Sequence, residues 1–162
     1  MVADPAVTAD LLACNCDTLR KAARRVSLLY DRYLASSGLT IGQYAILAEI
    51  ARKADDKAPT LTELAQELVM DRAGLSHTLK PLERDGLVRI ERDREDRRAR
   101  LVTLTELGRA RAAAARQCWV EAQARFSDSF GPDQAVALRA LLRMVTSVDF
   151  GTIPLARLAT MP

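Results

Sequence analysis

Residues Thr60 to Gly108, TLTELAQELVMDRAGLSHTLKPLERDGLVRIERDREDRRARLVTLTELG, constrain this chain more tightly than any other stretch. Apolar residues first recur every three or four positions in two short runs, then alternate with polar residues in two more. The first pattern belongs to amphipathic helices and the second to paired strands. Thr60 and Glu63 have capping-box spacing and open a helix running to about Val69. Asp71 is a good N-cap for a second helix, from Arg72 to about Asp85, closed by Gly86. The strands span Leu87–Arg92 and Arg98–Leu104, with the hairpin tip at Asp93 to Arg97. Two helices meeting at a tight turn and followed by a hairpin form a winged helix-turn-helix. The fold class expected is mainly α with one small β-hairpin.

On the second of these helices Leu75, Leu79 and Leu82 share a face, and Ala73, Ser76, His77, Lys80 and Arg84 lie opposite, with Arg72 at the N-terminal end. Small residues allow close approach to base edges in a major groove, and the hydroxyl, imidazole and cations supply hydrogen-bonding groups. An ordinary solvated face is the bland alternative. Pro81 removes a backbone donor inside the helix, which favours a kink between a reading half and a packing half. In the hairpin, Arg92, Arg94, Arg97, Arg98 and Arg100 interleave with Asp93, Glu95 and Asp96. Arginine at a hairpin tip can enter a minor groove, where narrow A·T-rich stretches concentrate negative potential. Arg94, Arg97 and Arg98 are the expected DNA contacts. Asp96 is the expected organiser of the wing, and the acids are expected to pair with some of the arginines.

Length and charge add little on their own. The chain has 162 residues, enough for one domain, and a net charge of only +3, so the placement of charge has to carry the argument. No apolar run reaches the ~20 residues of a membrane span, and the N-terminus lacks a basic start and an apolar core. A cytoplasmic protein is expected. Three cysteines, Cys14, Cys16 and Cys118, are an odd count that favours free thiols. His77 is the single histidine and no glycine-rich phosphate loop occurs, so no catalytic site, cofactor or metal site is expected. A protein–protein module built on a winged helix is the competing class, and it carries no salt-dependent affinity for duplex DNA.

The flanking segments are helical. Leu12, Cys16, Leu19, Ala23, Val26, Tyr30 and Tyr33 form a stripe within residues 9–37, stopped by Gly38. A helix from Ile41 to Lys53 turns Tyr44, Leu47 and Ile50 or Ala51 inward, and the polar run 54–59 is a loop. A long helix runs from Glu106 to Phe130 and is broken by Gly131-Pro132. A last helix from Asp133 to Asp149 carries Leu138, Leu141, Leu142, Val145 and Val148. These stripes exceed what a small winged module can cover. One domain over 1–162 is expected, with dimerisation helices at 9–37 and 106–162 and a DNA-binding lobe at 38–105. The economical cover is a second copy of the chain, and an intramolecular bundle is the alternative.

LTELAQEL, LERDGLV and EDRRARLVTLTELG together resemble the MarR family of bacterial transcription regulators. Asp96 and Arg98 fit its Asp-x-Arg wing signature, and Leu104, Thr105 and Gly108 fit its Leu-Thr-x-x-Gly exit. The resemblance implies a homodimer on a pseudo-palindromic operator, usually repressing, and released by a small molecule or an oxidant. For a small aromatic or carboxylate ligand the expected lining is Arg24, Tyr30, Tyr33, Tyr44 and Trp119. For an oxidant, Cys16 resembles in spacing the reactive cysteine of the organic-peroxide-sensing members, and Cys118 falls near their resolving cysteine. Ile41 and Arg20 depart from that pattern, where the peroxide sensors carry a tyrosine and another aromatic.

Overall fold

Residues 14–53 and 57–150 are described by the computed structural model, which arranges them as six α-helices and one hairpin. In chain order these are α1 (Asn15–Leu34), a 3-10 turn (Ala35–Ser37), α2 (Ile41–Lys53), α3 (Leu61–Glu67), α4 (Arg72–Arg84), β1 (Val88–Arg92), β2 (Arg100–Leu104), α5 (Glu106–Phe130) and α6 (Pro132–Ser147). They form two compact units, one ending at Phe126 and the other beginning at Ser127.

Local chemistry sets the ends of the helix-turn-helix. Thr60 and Glu63 make the full capping box: the Glu63 N–H donates to Thr60 Oγ1 at 3.1 Å, and the Thr60 N–H donates to Glu63 Oε2 at 2.7 Å. α3 stops at Glu67, two residues short of the expected Val69, because Val69 turns left-handed at φ 51°. The N–H groups of Val69 and Met70 then donate to the carbonyls of Gln66 and Ala65 in a Schellman motif. α4 begins with Asp71 Oδ1 accepting from the Gly74 N–H at 2.7 Å. It closes with the same motif on Gly86 and Leu87, and Gly86 supplies a φ of 70° without strain. The helix passes through Pro81 without a break.

The strands pair antiparallel, with Val88 opposite Leu104 and Arg92 opposite Arg100. They are shorter than expected because Leu87 belongs to the turn after α4 and Arg98 to the tip. The chain before α3 adds a short third edge to β2. The Val102 N–H donates to the Pro59 carbonyl at 2.9 Å, and Thr60 bridges Leu101.

Leu34, Leu47, Ile50, Leu64, Leu75, Leu79, Leu82 and Val102 form the core of the first unit. On α2 the inward residue is Ile50 and not Ala51, and Ile46 joins it. The Leu-Thr-x-x-Gly exit has a specific physical role. Thr105 Oγ1 donates to the Gly86 carbonyl at 2.6 Å and accepts from the Gly108 N–H at 2.9 Å. A Cβ on Gly108 would lie 1.9 Å from the Leu87 carbonyl oxygen, so glycine lets α5 start directly against the hairpin stem.

α1 starts at Asn15 among the described residues, and its α-helical part ends at Leu34 before the 3-10 turn; the expected residues 9–13, including Leu12, lie outside the described residues. Its second half is anchored, with the Tyr30 hydroxyl donating to Gln123 Oε1 at 2.6 Å and Arg111 Nη1 to the Ser37 carbonyl at 2.9 Å. Its first half leaves Cys16, Leu19 and Ala23 exposed, and Leu28 is also open. In the second unit Ala135 is buried, whereas Leu141, Leu142, Val145 and Val148 are exposed.

Candidate nucleic-acid interface

The periodicity of α4 sends Leu75, Leu79 and Leu82 into the core, which leaves Arg72, Ala73, Ser76, His77, Lys80 and Arg84 exposed. His77, Lys80, Pro81 and Arg84 line a shallow depression of about 410 Å³. Arg84 is partly committed, since its Nε donates to Asp85 Oδ1 at 2.9 Å. The chemistry presented is that of a helix able to approach base edges, with cations on one side.

The wing is built from two nested turns. At the tip, Asp96 Oδ1 accepts from the Arg98 N–H at 2.9 Å, and the Ala99 N–H donates to the Asp96 carbonyl. At the stem, the Asp93 N–H donates to the Ala99 carbonyl at 3.0 Å, and Asp93 Oδ1 accepts from the Glu95 N–H at 3.0 Å. Asp93 is only 8% exposed. Its Oδ2 faces Lys57 Nζ at 3.2 Å, and Glu95 stands 3.7 Å from the same ammonium. The Glu95 N–H, and then Lys57, hold the Asp93 carboxyl below the usual range, and Asp93 raises Lys57.

The expected pairing of wing acids with wing arginines is corrected by this geometry. Asp93 and Glu95 turn to Lys57, Asp96 turns to backbone, and among the described residues Arg94, Arg97 and Arg98 are exposed without a carboxylate partner. A carboxylate beside backbone N–H groups is satisfied within its own turn, so it has no need of a long, mobile guanidinium. Among the described residues Asp96 meets the tip only through backbone, accepting from the Arg98 and Ala99 N–H groups. The sequence marks Asp93 as a wing acid but not Lys57 as its partner, because a lone lysine in a loop carries no periodicity.

The residues expected around a ligand are spread out. Tyr30 is buried on Gln123, Tyr33 is half-buried against the core, and Arg24 is exposed. Tyr44 and Trp119 meet with ring centroids 6.3 Å apart. Of the five, Tyr44 lines a cleft of about 450 Å³ whose other walls include Ala48, Leu104, Ala112 and three arginines, Arg52, Arg109 and Arg116. Arg52 is held by Glu49, and Arg109 Nη1 donates to the Leu104 carbonyl. Burial pushes the Tyr44 hydroxyl above its ordinary value, with Arg116 opposing. The cations lining this cleft come from α2 and α5, and Arg24 is not among its walls.

The cysteines are free. Cys16 is exposed, and Cys118 Sγ lies 3.5 Å from Ser36 Oγ. No described helix is long and apolar enough to cross a membrane.

Known proteins share this arrangement. The MarR family model matches residues 37–99. The transcriptional activatory protein BadR of Rhodopseudomonas palustris is 37% identical over 78 residues, 48% of this chain and 45% of its own. The matched stretch thus spans about half the length of such curated relatives. The M. tuberculosis transcriptional regulator MosR in complex with DNA is similar at 33% identity and a TM-score of 0.68, covering 83% of this chain and 99% of that one. Bordetella bronchiseptica BpsR, whose DNA binding is regulated by 6-hydroxynicotinic acid, is similar at 26% identity and a TM-score of 0.72, covering 84% and 95%.

Proposed function

This chain belongs to the MarR family and is a DNA-binding transcription regulator of that type, and from that premise we propose that it is a homodimeric repressor released by a small aromatic carboxylate. The observation that carries the docking is the pairing, in one compact unit, of an exposed polar face on α4 with three wing arginines that have no carboxylate partner among the described residues. In this reading α4 enters the major groove through Ala73, Ser76, His77 and Lys80, with Arg72 at its entry, while Arg94, Arg97 and Arg98 meet the flanking minor groove and phosphates. Exposed Leu19 and Leu28 on α1, and Leu141 and Met144 on α6, supply the apolar surface for a second copy. Two copies present two α4 helices to a pseudo-palindromic operator, at half-sites about 10 base pairs apart. Occupying such an operator across a promoter excludes the transcription machinery.

The cleft between α2 and α5 suits the release step. Its apolar wall can take a ring and its arginines a carboxylate. The regulation of BpsR by 6-hydroxynicotinic acid supports that ligand class. The test is fluorescence anisotropy on the DNA upstream of the chain's own gene, titrated with 6-hydroxynicotinate and a panel of benzoates. Binding that a carboxylate relieves, and that Arg116→Ala makes insensitive, supports the reading. Binding indifferent to every carboxylate but lost with hydroperoxide and restored by thiol supports the second reading, oxidant release through Cys16, which its exposure on α1 favours.

A further inference from the structure

We infer that Lys57 and Asp93 form the tether that aims the wing, so that Lys57, a loop residue outside both DNA-facing elements, is a positioning residue for DNA binding. The inference rests on the docking of the wing proposed above. Three observations converge on it. Asp93 is shielded and stands where β1 gives way to the wing tip, so its direction sets that of the loop it begins. Both of its oxygens are used, Oδ1 by the Glu95 N–H within the wing and Oδ2 by Lys57 from outside. Finally, the segment carrying Lys57 is itself pinned, because Pro59 accepts from Val102 and Thr60 opens α3 two residues after the lysine's neighbour Ala58. One short stretch of chain thereby holds the wing stem, the edge of β2 and the start of the helix that supports α4.

The charges matter through geometry more than through raw attraction. The Lys57 side chain is 62% exposed, so its Coulomb energy is heavily screened. Asp93 is shielded, however, and removing the ammonium strips its Oδ2 of the cation beside it, leaving a charged carboxylate held, among the described residues, by backbone N–H groups alone. The cheapest relief is for the stem to open and carry Asp93 into water, which swings Arg94, Arg97 and Arg98 away from a fixed aim. The tether also neutralises a carboxylate that would otherwise repel phosphate.

The experiment uses opposite charge changes on the full-length chain. Lys57→Met removes a positive charge and Asp93→Asn a negative one. If the two residues acted only through net charge, the first would weaken and the second would strengthen DNA binding. The tether requires both to weaken it, each by about tenfold, or ~1.4 kcal/mol, with the double variant no worse than either single one. The probe is the duplex that the unaltered chain selects from a randomised library. Hydroxyl-radical protection of the minor-groove flanks should fade in both variants while protection of guanine N7 in the major groove persists, and Lys57→Arg should restore the flanks. Tighter binding by Asp93→Asn, or additive losses in the double variant, would overturn the inference. Hydrogen exchange without DNA separates the two levels of failure. The amides of Glu95 and Ala99 should exchange about tenfold faster in Lys57→Met; unchanged exchange overturns the tether whatever the DNA results, while faster exchange upholds it even where the docking reading fails.

Discussion

The lobe built from α2, α3, α4 and the hairpin covers its apolar faces within the chain, whereas α1 and α6 leave much of theirs open. Leu64, Leu75, Leu79 and Val102 are fully enclosed, while Leu28 is 57%, Leu141 60% and Met144 64% exposed. Full burial of such a side chain stabilises by about 1.5–3 kcal/mol, so the open stripes hold unspent association energy. The lobe closes its core together with Leu34 of α1 and Ala115 of α5. α1 and α6 each keep an open apolar stripe, which in the proposed reading a second copy covers. Their stripes are spaced like those of the lobe, so periodicity alone does not distinguish intrachain from interchain cover.

The comparison is broken most severely at Gly108. Gly108→Ala puts a methyl group against the Leu87 backbone, which cannot yield as a side chain can. A loss of about 3 kcal/mol or more is expected in chemical denaturation. A milder change would assign that contact to a looser region than described. Next comes Leu141→Glu. It should leave the denaturation profile of the lobe intact while converting the assembly to monomers in sedimentation, and an unaltered assembly would place the interface elsewhere.

Smaller effects sharpen the account of the lobe itself. Val69 is a β-branched residue held left-handed at φ 51° and 74% exposed. Val69→Gly removes that strain and should raise stability by about 1 kcal/mol, read from the denaturant midpoint. The smallest effect concerns acid. The Thr60 N–H holds the Glu63 carboxyl below its ordinary range. Its contribution is therefore complete above the unfolded value of about 4.3 and is lost as pH falls through the lower folded value. Melting between about pH 5 and pH 3 should be less acid-sensitive in Glu63→Gln than in the parent.

What was legible in the sequence was local. The Thr60–Glu63 box, the Asp71 cap and the Gly86 stop depend on residues a few positions apart and appear where expected, and the hairpin forms with each strand trimmed at one end. The end of α3 was placed late because a left-handed residue there is usually glycine, and this chain uses valine. The Lys57–Asp93 contact, the entry of Ile46 into the core and the grouping of Arg52, Arg109 and Arg116 depend on packing between distant segments. No spacing rule encodes them. The wing signature singles out Asp96, but the sequence places both aspartates in the tip, and only the register of the hairpin makes Asp93 a stem residue.

The central claim is that α4 and the wing grip duplex DNA together, and salt titration tests it most directly. Anisotropy on the selected duplex should show affinity falling roughly a thousandfold or more between 50 and 200 mM salt, as expected when six or more phosphates are neutralised. In the same titration Arg94→Ala should weaken binding to all sequences and flatten the salt slope, while His77→Ala should change sequence preference and leave the slope in place. Affinity that is flat with salt, or indifferent to both substitutions, would contradict the account and return the winged helix to service as a surface for protein partners.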